Sequence, residues 1–124
     1  MRKILIKTRK DEIKAELYES RIARLIWENL PLEGRANIWG EEVYFEISVQ
    51  AELEEGREIV SKGDIGYWPP GSSICIFFGP TPISQREEIR PASPVSIIGK
   101  VVDGLEALRE VEEGEIISIE KMIL

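Results

Sequence analysis

The apolar residues of this chain repeat mostly with the two-residue period of a strand, and only twice switch to the period of a helix. Residues 3–8 alternate, with Ile4 and Ile6 on one face and Lys3, Leu5 and Lys7 on the other. Residues 12–18 do the same through Ile13, Ala15 and Leu17, and the polar Arg9-Lys10-Asp11 between the two runs suits a hairpin turn. Ile22, Leu25, Ile26 and Leu30 then form a helical stripe, which Ser20 can cap and Pro31 cannot continue. Past Gly34 the strand character returns at residues 36–39, 43–47, 65–68, 73–78 and 95–102, with Pro69-Pro70-Gly71 as a stiff turn. Residues 52–57 are charged and read as an exposed loop or edge. Asp103 and Glu106 resemble a capping box opening a second short helix, with Leu105, Leu108 and Val111 inward and Gly114 at its end. Residues 115–124 make the last strand. Many short strands with two helices predict a mainly β, closed or nearly closed barrel of about eight strands, with the helices over its ends.

At 124 residues the chain is one domain, 1–124, with enough length for a single core. No apolar run is long enough for a membrane span, and the N-terminus meets charge too early for a signal-peptide core. There is no histidine and a single cysteine, Cys75. This removes nucleophile–histidine pairs, disulfide frameworks and nearly all transition-metal sites, so no metal or cofactor is expected. Acidic residues number 23 against 16 basic ones, a net charge of −7. Such a domain repels phosphate backbones, so nucleic acid is not an expected partner. Asn29, Asn37, Gln50 and Gln85 are the only side-chain amides beside abundant Glu, a balance that suits a thermophile. The reading is of a cytoplasmic protein without membrane contact, with homodimerisation left open.

The run Ile98-Gly99-Lys100-Val101-Val102-Asp103-Gly104-Leu105 resembles the F-G-K-V-V-E-G-M run of cyclophilins, where it also leads from a strand into the last helix. The element order is similar to that of the cyclophilin barrel. Three further stretches resemble the small prokaryotic cyclophilin-like proteins, a family of uncharacterised single domains. They are Trp39-Gly40-Glu41-Glu42-Val43-Tyr44-Phe45, Gly63-Asp64-Ile65-Gly66-Tyr67-Trp68-Pro69-Pro70-Gly71 and Phe77-Phe78-Gly79-Pro80-Thr81-Pro82. The resemblance implies the cyclophilin-like barrel and makes prolyl isomerisation one candidate activity. That reaction needs an apolar proline pocket and a donor that weakens amide resonance. The cyclophilin histidine falls on Val95, the tryptophan falls in a loop that contains none, and the arginine falls near Arg35 without a matching register. Whether Arg35 or Arg90 replaces that arginine is left open.

Five of the nine aromatic residues, Tyr44, Phe45, Trp68, Phe77 and Phe78, lie on strands that the resemblance places beside the cyclophilin groove. Strand alternation allows only one of each adjacent pair to face such a groove. The expected ligand-binding set is therefore Trp39, Glu42, Tyr44, Phe45, Trp68, Phe77, Phe78 and Thr81, with residues 79–94 as the rim. Large rings beside a stiff turn suit a binding wall and a barrel core equally. Glu41 and Glu42 are adjacent, so on a strand they point to opposite faces and cannot act as a pair. A polar rim of Thr81, Ser84, Arg90 and Ser93 is expected on the loop, and Cys75 reads as an inert core thiol. The expectation is a domain that binds a small molecule or an extended peptide. The alternatives are a prolyl isomerase, or a hydrolase or isomerase using Glu42 or Asp64.

Overall fold

The computed structural model describes residues 1–122. The strands are β1 (Arg2–Lys7), β2 (Glu12–Leu17), β3 (Leu32–Arg35), β4 (Asn37–Ile38), β5 (Glu42–Glu46), β6 (Asp64–Trp68), β7 (Ser73–Phe77), β8 (Ser96–Asp103) and β9 (Ile116–Lys121). One α-helix, α1 (Arg21–Glu28), and one 3₁₀ helix, Leu105–Glu110, complete the fold, and Pro69–Gly71 adds a single 3₁₀ turn. The last two residues of the final predicted strand, Ile123 and Leu124, lie outside the described residues.

All nine strands join one sheet in the order β3-β9-β1-β2-β8-β6-β7-β5-β4, and every pairing is antiparallel. Its two terminal strands are consecutive in the chain. They are joined through Ala36, whose N–H donates to the Glu115 carbonyl and whose carbonyl accepts from Gly114 N–H. This is why residues 36–39 do not form the one strand the sequence suggested: the chain crosses there from one sheet edge to the other. Gly34 completes the approach, since a Cβ at that position would collide with the Glu46 carbonyl and the Phe45 side chain. The result is a nearly closed barrel. Irregular registers at Lys14/Ala15 and Ile65/Gly66, both against β8, supply bends of the kind that let a sheet curl.

The barrel interior holds Ile4, Ile6, Ile13, Val43, Phe45, Ile65, Tyr67, Ile74, Ile76, Ile98, Ile117 and Ile119 with their neighbours. Helix α1 starts at Ser20, whose hydroxyl accepts from Ala23 N–H at 3.2 Å, and it buries Ile22, Ala23 and Ile26. The second helix differs from the expected capping box. Asp103 stays in β8, and Gly104, with φ 92°, makes the turn into the 3₁₀ helix without a side-chain cap.

Strand β7 is buried along its whole length, between β6 and β5. Its inner residues Ile74 and Ile76 are wholly inaccessible. Its outer residues Cys75 and Phe77 enter a second, smaller cluster with Val60, Ile89 and Val95, beneath the long loop. The unbroken apolar run thus has a core on each side, as its pattern predicts for a strand buried on both faces.

Candidate functional site

The outer face of β4, β5, β7 and β6 carries the site. Register fixes which side chains reach it: Tyr44 pairs with Cys75, Cys75 with Gly66, and Trp68 with Ser73. On β5 the alternation sends Val43 and Phe45 into the barrel and leaves Glu42 and Tyr44 outside. On β6 it sends Ile65 and Tyr67 inward and leaves Gly66 and Trp68 outside. Gly66 has no side chain, so Val95 lies directly against the sheet; an added Cβ would sit 3.0 Å from its Cγ2.

Trp39, Glu42, Tyr44, Trp68 and Ala92 line a cavity of about 100 Å³ that opens to the surface. Tyr44 and Trp68 meet edge to face, with centroids 6.2 Å apart and planes at 75°. The Trp68 indole donates from Nε1 to Ser93 Oγ at 2.7 Å, so the loop holds the ring in place. Glu42 is only 5 % exposed. Its Oε1 is buried without a hydrogen-bond partner among the described residues. Burial raises the carboxyl to about 7, and a hydrogen bond with the neighbouring Cys75 thiol acts in the opposite, lowering sense. Burial and the nearby Glu42 charge push the Cys75 thiol well above its ordinary value, and burial also raises Tyr44.

Of the expected ligand-binding residues, the structure brings Trp39, Glu42, Tyr44 and Trp68 together and places the other four elsewhere. Phe45 is sealed in the barrel core, because Tyr44 takes the outward position. Phe77 is sealed in the outer cluster beneath the loop. Phe78 points inward, with Arg109 stacked over its ring at 5.3 Å. Thr81 is buried and clasps the loop: its N–H donates to Ser84 Oγ at 2.9 Å and its hydroxyl donates to the Arg90 carbonyl. Ser84 also accepts from Arg90 N–H at 2.9 Å, so these hydroxyls fold the loop instead of forming a rim.

The remaining candidates are also engaged away from the cavity. Asp64 accepts from Ser61 N–H at 2.8 Å, closing the turn into β6 at the end opposite Trp68. Glu41 points away from Glu42 and pairs with Arg109. Arg35 donates to the Gly114 carbonyl at 3.1 Å, and Arg90 pairs with Glu88 at 2.9 Å. Val95, which the resemblance puts in place of the cyclophilin histidine, is wholly buried. Ala92 is the wall residue that sequence reading missed, since a methyl group on a loop carries no pattern. Among the described residues no group of His, Cys, Asp or Glu is arranged to hold a metal, and no helix is long and apolar enough to cross a membrane.

The motifs that resembled the prokaryotic proteins are the parts that build this face. Gly40, at φ 61°, turns the chain between β4 and β5 against residues 80–82; a Cβ there would lie 2.8 Å from Pro82 Cδ. Glu41 N–H donates to the Pro80 carbonyl and Phe78 N–H to the Glu41 carbonyl, each at 2.9 Å. With the barrel and these contacts in place, the class of the domain is settled. A profile described as cyclophilin-like matches residues 2–120, and the chain belongs to that family. It is similar to a hypothetical protein from Archaeoglobus fulgidus solved in solution, at 41% identity and a TM-score of 0.83, covering 98% of this chain and 95% of that one. It shares its fold with McbB, solved in complex with tryptophan, at 21% identity and a TM-score of 0.68. That match covers 95% of this chain but 44% of McbB, so the chain spans under half the length of that neighbour. No curated protein matches the chain.

Proposed function

We propose that this domain binds a small molecule in the cavity of Trp39, Tyr44 and Trp68, with Glu42 as its polar anchor. One observation carries the reading: three amphipathic rings surround the buried Glu42 carboxylate, whose Oε1 has no hydrogen-bond partner among the described residues. Binding sites are mostly apolar concavities with a few convergent polar groups, and buried polar atoms are ordinarily satisfied. A carboxylate held this way in a fold core would cost stability with no return. McbB, which shares this fold over 44% of its own length, was solved in complex with tryptophan, which makes aromatic small molecules natural probes for the cavity.

Conventional prolyl isomerisation is the weaker reading. It requires a donor beside the bound amide, and Arg35 and Arg90 both make their contacts away from the cavity. The test is a fragment screen by two-dimensional NMR. Fragments should shift the indole signals of Trp39 and Trp68 and the amide of Tyr44, and Trp68→Ala should abolish those responses. Fragments that bind with equal affinity to the Trp68→Ala variant, or none that shift these signals, would overturn the reading.

A further inference from the structure

We infer that the cavity recognises a protonated amine carrying at least one N–H, with Glu42 as its ionic partner and Trp39, Tyr44 and Trp68 as its wall. This deepens the proposed function and rests on it. Glu42 is 95 % removed from solvent by its 5 % exposure, and its Oε1 lacks a donor among the described residues. None of the residues lining the cavity is a cation. Of the two indoles in the wall, that of Trp68 already donates its N–H to Ser93. A carboxylate in such surroundings is complemented by an incoming charge-assisted donor, which forms the strong class of hydrogen bond. Aromatic rings attract the same cation through their negative faces, and more strongly where water is displaced. An anionic ligand meets both Glu42 and a net charge of −7. A purely apolar ligand would leave Oε1 buried and unpaired. A cavity of about 100 Å³ admits the amine end of a molecule and leaves the remainder at the open side. The same chemistry is offered by a free alkylamine and by the ammonium end of a lysine side chain.

The ionisation of Glu42 then couples binding to pH. The titratable groups facing it are the Cys75 thiol from β7 and the Tyr44 hydroxyl from β5, both raised, so both stay neutral near pH 7. Glu113 acts on Tyr44, and Trp39, Trp68 and Ala92 do not titrate. An alkylamine keeps its proton throughout this range. A ligand that instead offered a carbonyl would need protonated Glu42 as its donor and would follow the opposite pH trend.

The experiment is an NMR titration at pH 6 and pH 8 with four probes: n-butylammonium, n-butanol, butyltrimethylammonium and Nα-acetyl-lysine methylamide. With Glu42 titrating at about 7, the ionised fraction rises from roughly one-tenth to nine-tenths, so n-butylammonium should bind about tenfold more tightly at pH 8. n-Butanol and butyltrimethylammonium should bind at least about tenfold more weakly than n-butylammonium at pH 8. Glu42→Gln, which keeps the shape of the side chain, should lose about tenfold in amine affinity and all pH dependence. Trp39→Ala serves as a second variant and should weaken amine binding several-fold. If the lysine derivative matches or exceeds n-butylammonium, the source is a protein side chain; if only n-butylammonium binds, it is a free amine. Equal binding of n-butanol, a reversed pH trend, or unchanged affinity in Glu42→Gln would overturn the inference. Equal binding of butyltrimethylammonium would overturn the N–H requirement. Neutral fragments that bind the cavity while amines do not would overturn the inference and leave the proposed function standing. No fragment binding at all would overturn both.

Discussion

The indole of Trp68 and the hydroxyl of Ser93 are joined across 25 residues of sequence by a 2.7 Å hydrogen bond, which fastens a loop that has no strand of its own to the wall of the cavity. Removing that acceptor leaves a partly buried N–H unpaired. Ser93→Ala is expected to cost about 1 kcal/mol of stability and to move the Trp68 indole signal in an NMR spectrum. The signals of Trp27 and Trp39 should stay in place. An unmoved Trp68 signal would show that the ring is held by packing alone.

Glu42 ties stability to pH in a direction opposite to that of a salt-bridged carboxylate. Its folded value is raised from 4.5 to about 7. The protonated form is therefore favoured by folding, and the associated stability is present below pH 4.5 and lost as pH rises through 7. Glu42→Gln removes that loss. It is expected to stabilise the protein by about 3 kcal/mol at pH 8, with the gain shrinking toward zero near pH 4.5. Urea unfolding across this range measures it. A gain independent of pH would mean that Glu42 does not titrate between those limits.

Gly40 occupies a left-handed conformation at φ 61° and is crowded by Pro82, the Pro80 carbonyl and the Thr81 backbone. Gly40→Ala meets both strain and collision, and is expected to cost about 2 kcal/mol or more. Since the collision is with residues 80–82, amide hydrogen exchange should speed up in the loop at 79–94 before it does in the barrel strands. Uniform acceleration would show that the loop and the barrel open together.

Cys75 is 1 % exposed, and its thiol is raised well above its ordinary value by burial first and by Glu42 second. The thiolate is the reactive form. Ellman's reagent at pH 8 is expected to leave the native protein unlabelled over an hour and to label it fully in denaturant. Rapid native labelling would reveal an opening of the outer cluster.

Ile76 is wholly buried at the centre of β7, paired with Val43 on β5 and Ile65 on β6. Ile76→Ala is expected to cost about 2–5 kcal/mol, read as a drop in the urea midpoint without a change in slope. A cost under about 1 kcal/mol would mean that the barrel interior collapses around the missing atoms.

The barrel was legible because its signals are local. Ile4 and Ile6 alternate with Lys3, Leu5 and Lys7, Ile22 and Ile26 mark one helical stripe, and the unbroken apolar residues 74–78 require cover on both sides. The crossing at Ala36 was not legible, because the hydrogen bonds that break the strand there come from Gly114 and Glu115. At the site, alternation alone established that one residue of Tyr44-Phe45 faces outward. Which one depends on the pairing of Tyr44 with Cys75, and that is a property of the assembled sheet. The burial of Glu42 was hidden for the same reason. In sequence it is one of two adjacent glutamates, and its apolar surroundings arrive from Trp68 and Ala92. Thr81 was misread because a hydroxyl on a long loop serves a ligand and a loop clasp equally well.

The two-faced character of β5, β6 and β7 gives the domain a division of labour between neighbouring codons. Val43, Phe45, Ile65, Tyr67, Ile74 and Ile76 hold the barrel together, while Glu42, Tyr44 and Trp68 lie one residue away and face the cavity. A lineage carrying this scaffold can therefore exchange the outward set for a new specificity without disturbing the inward set on which folding depends.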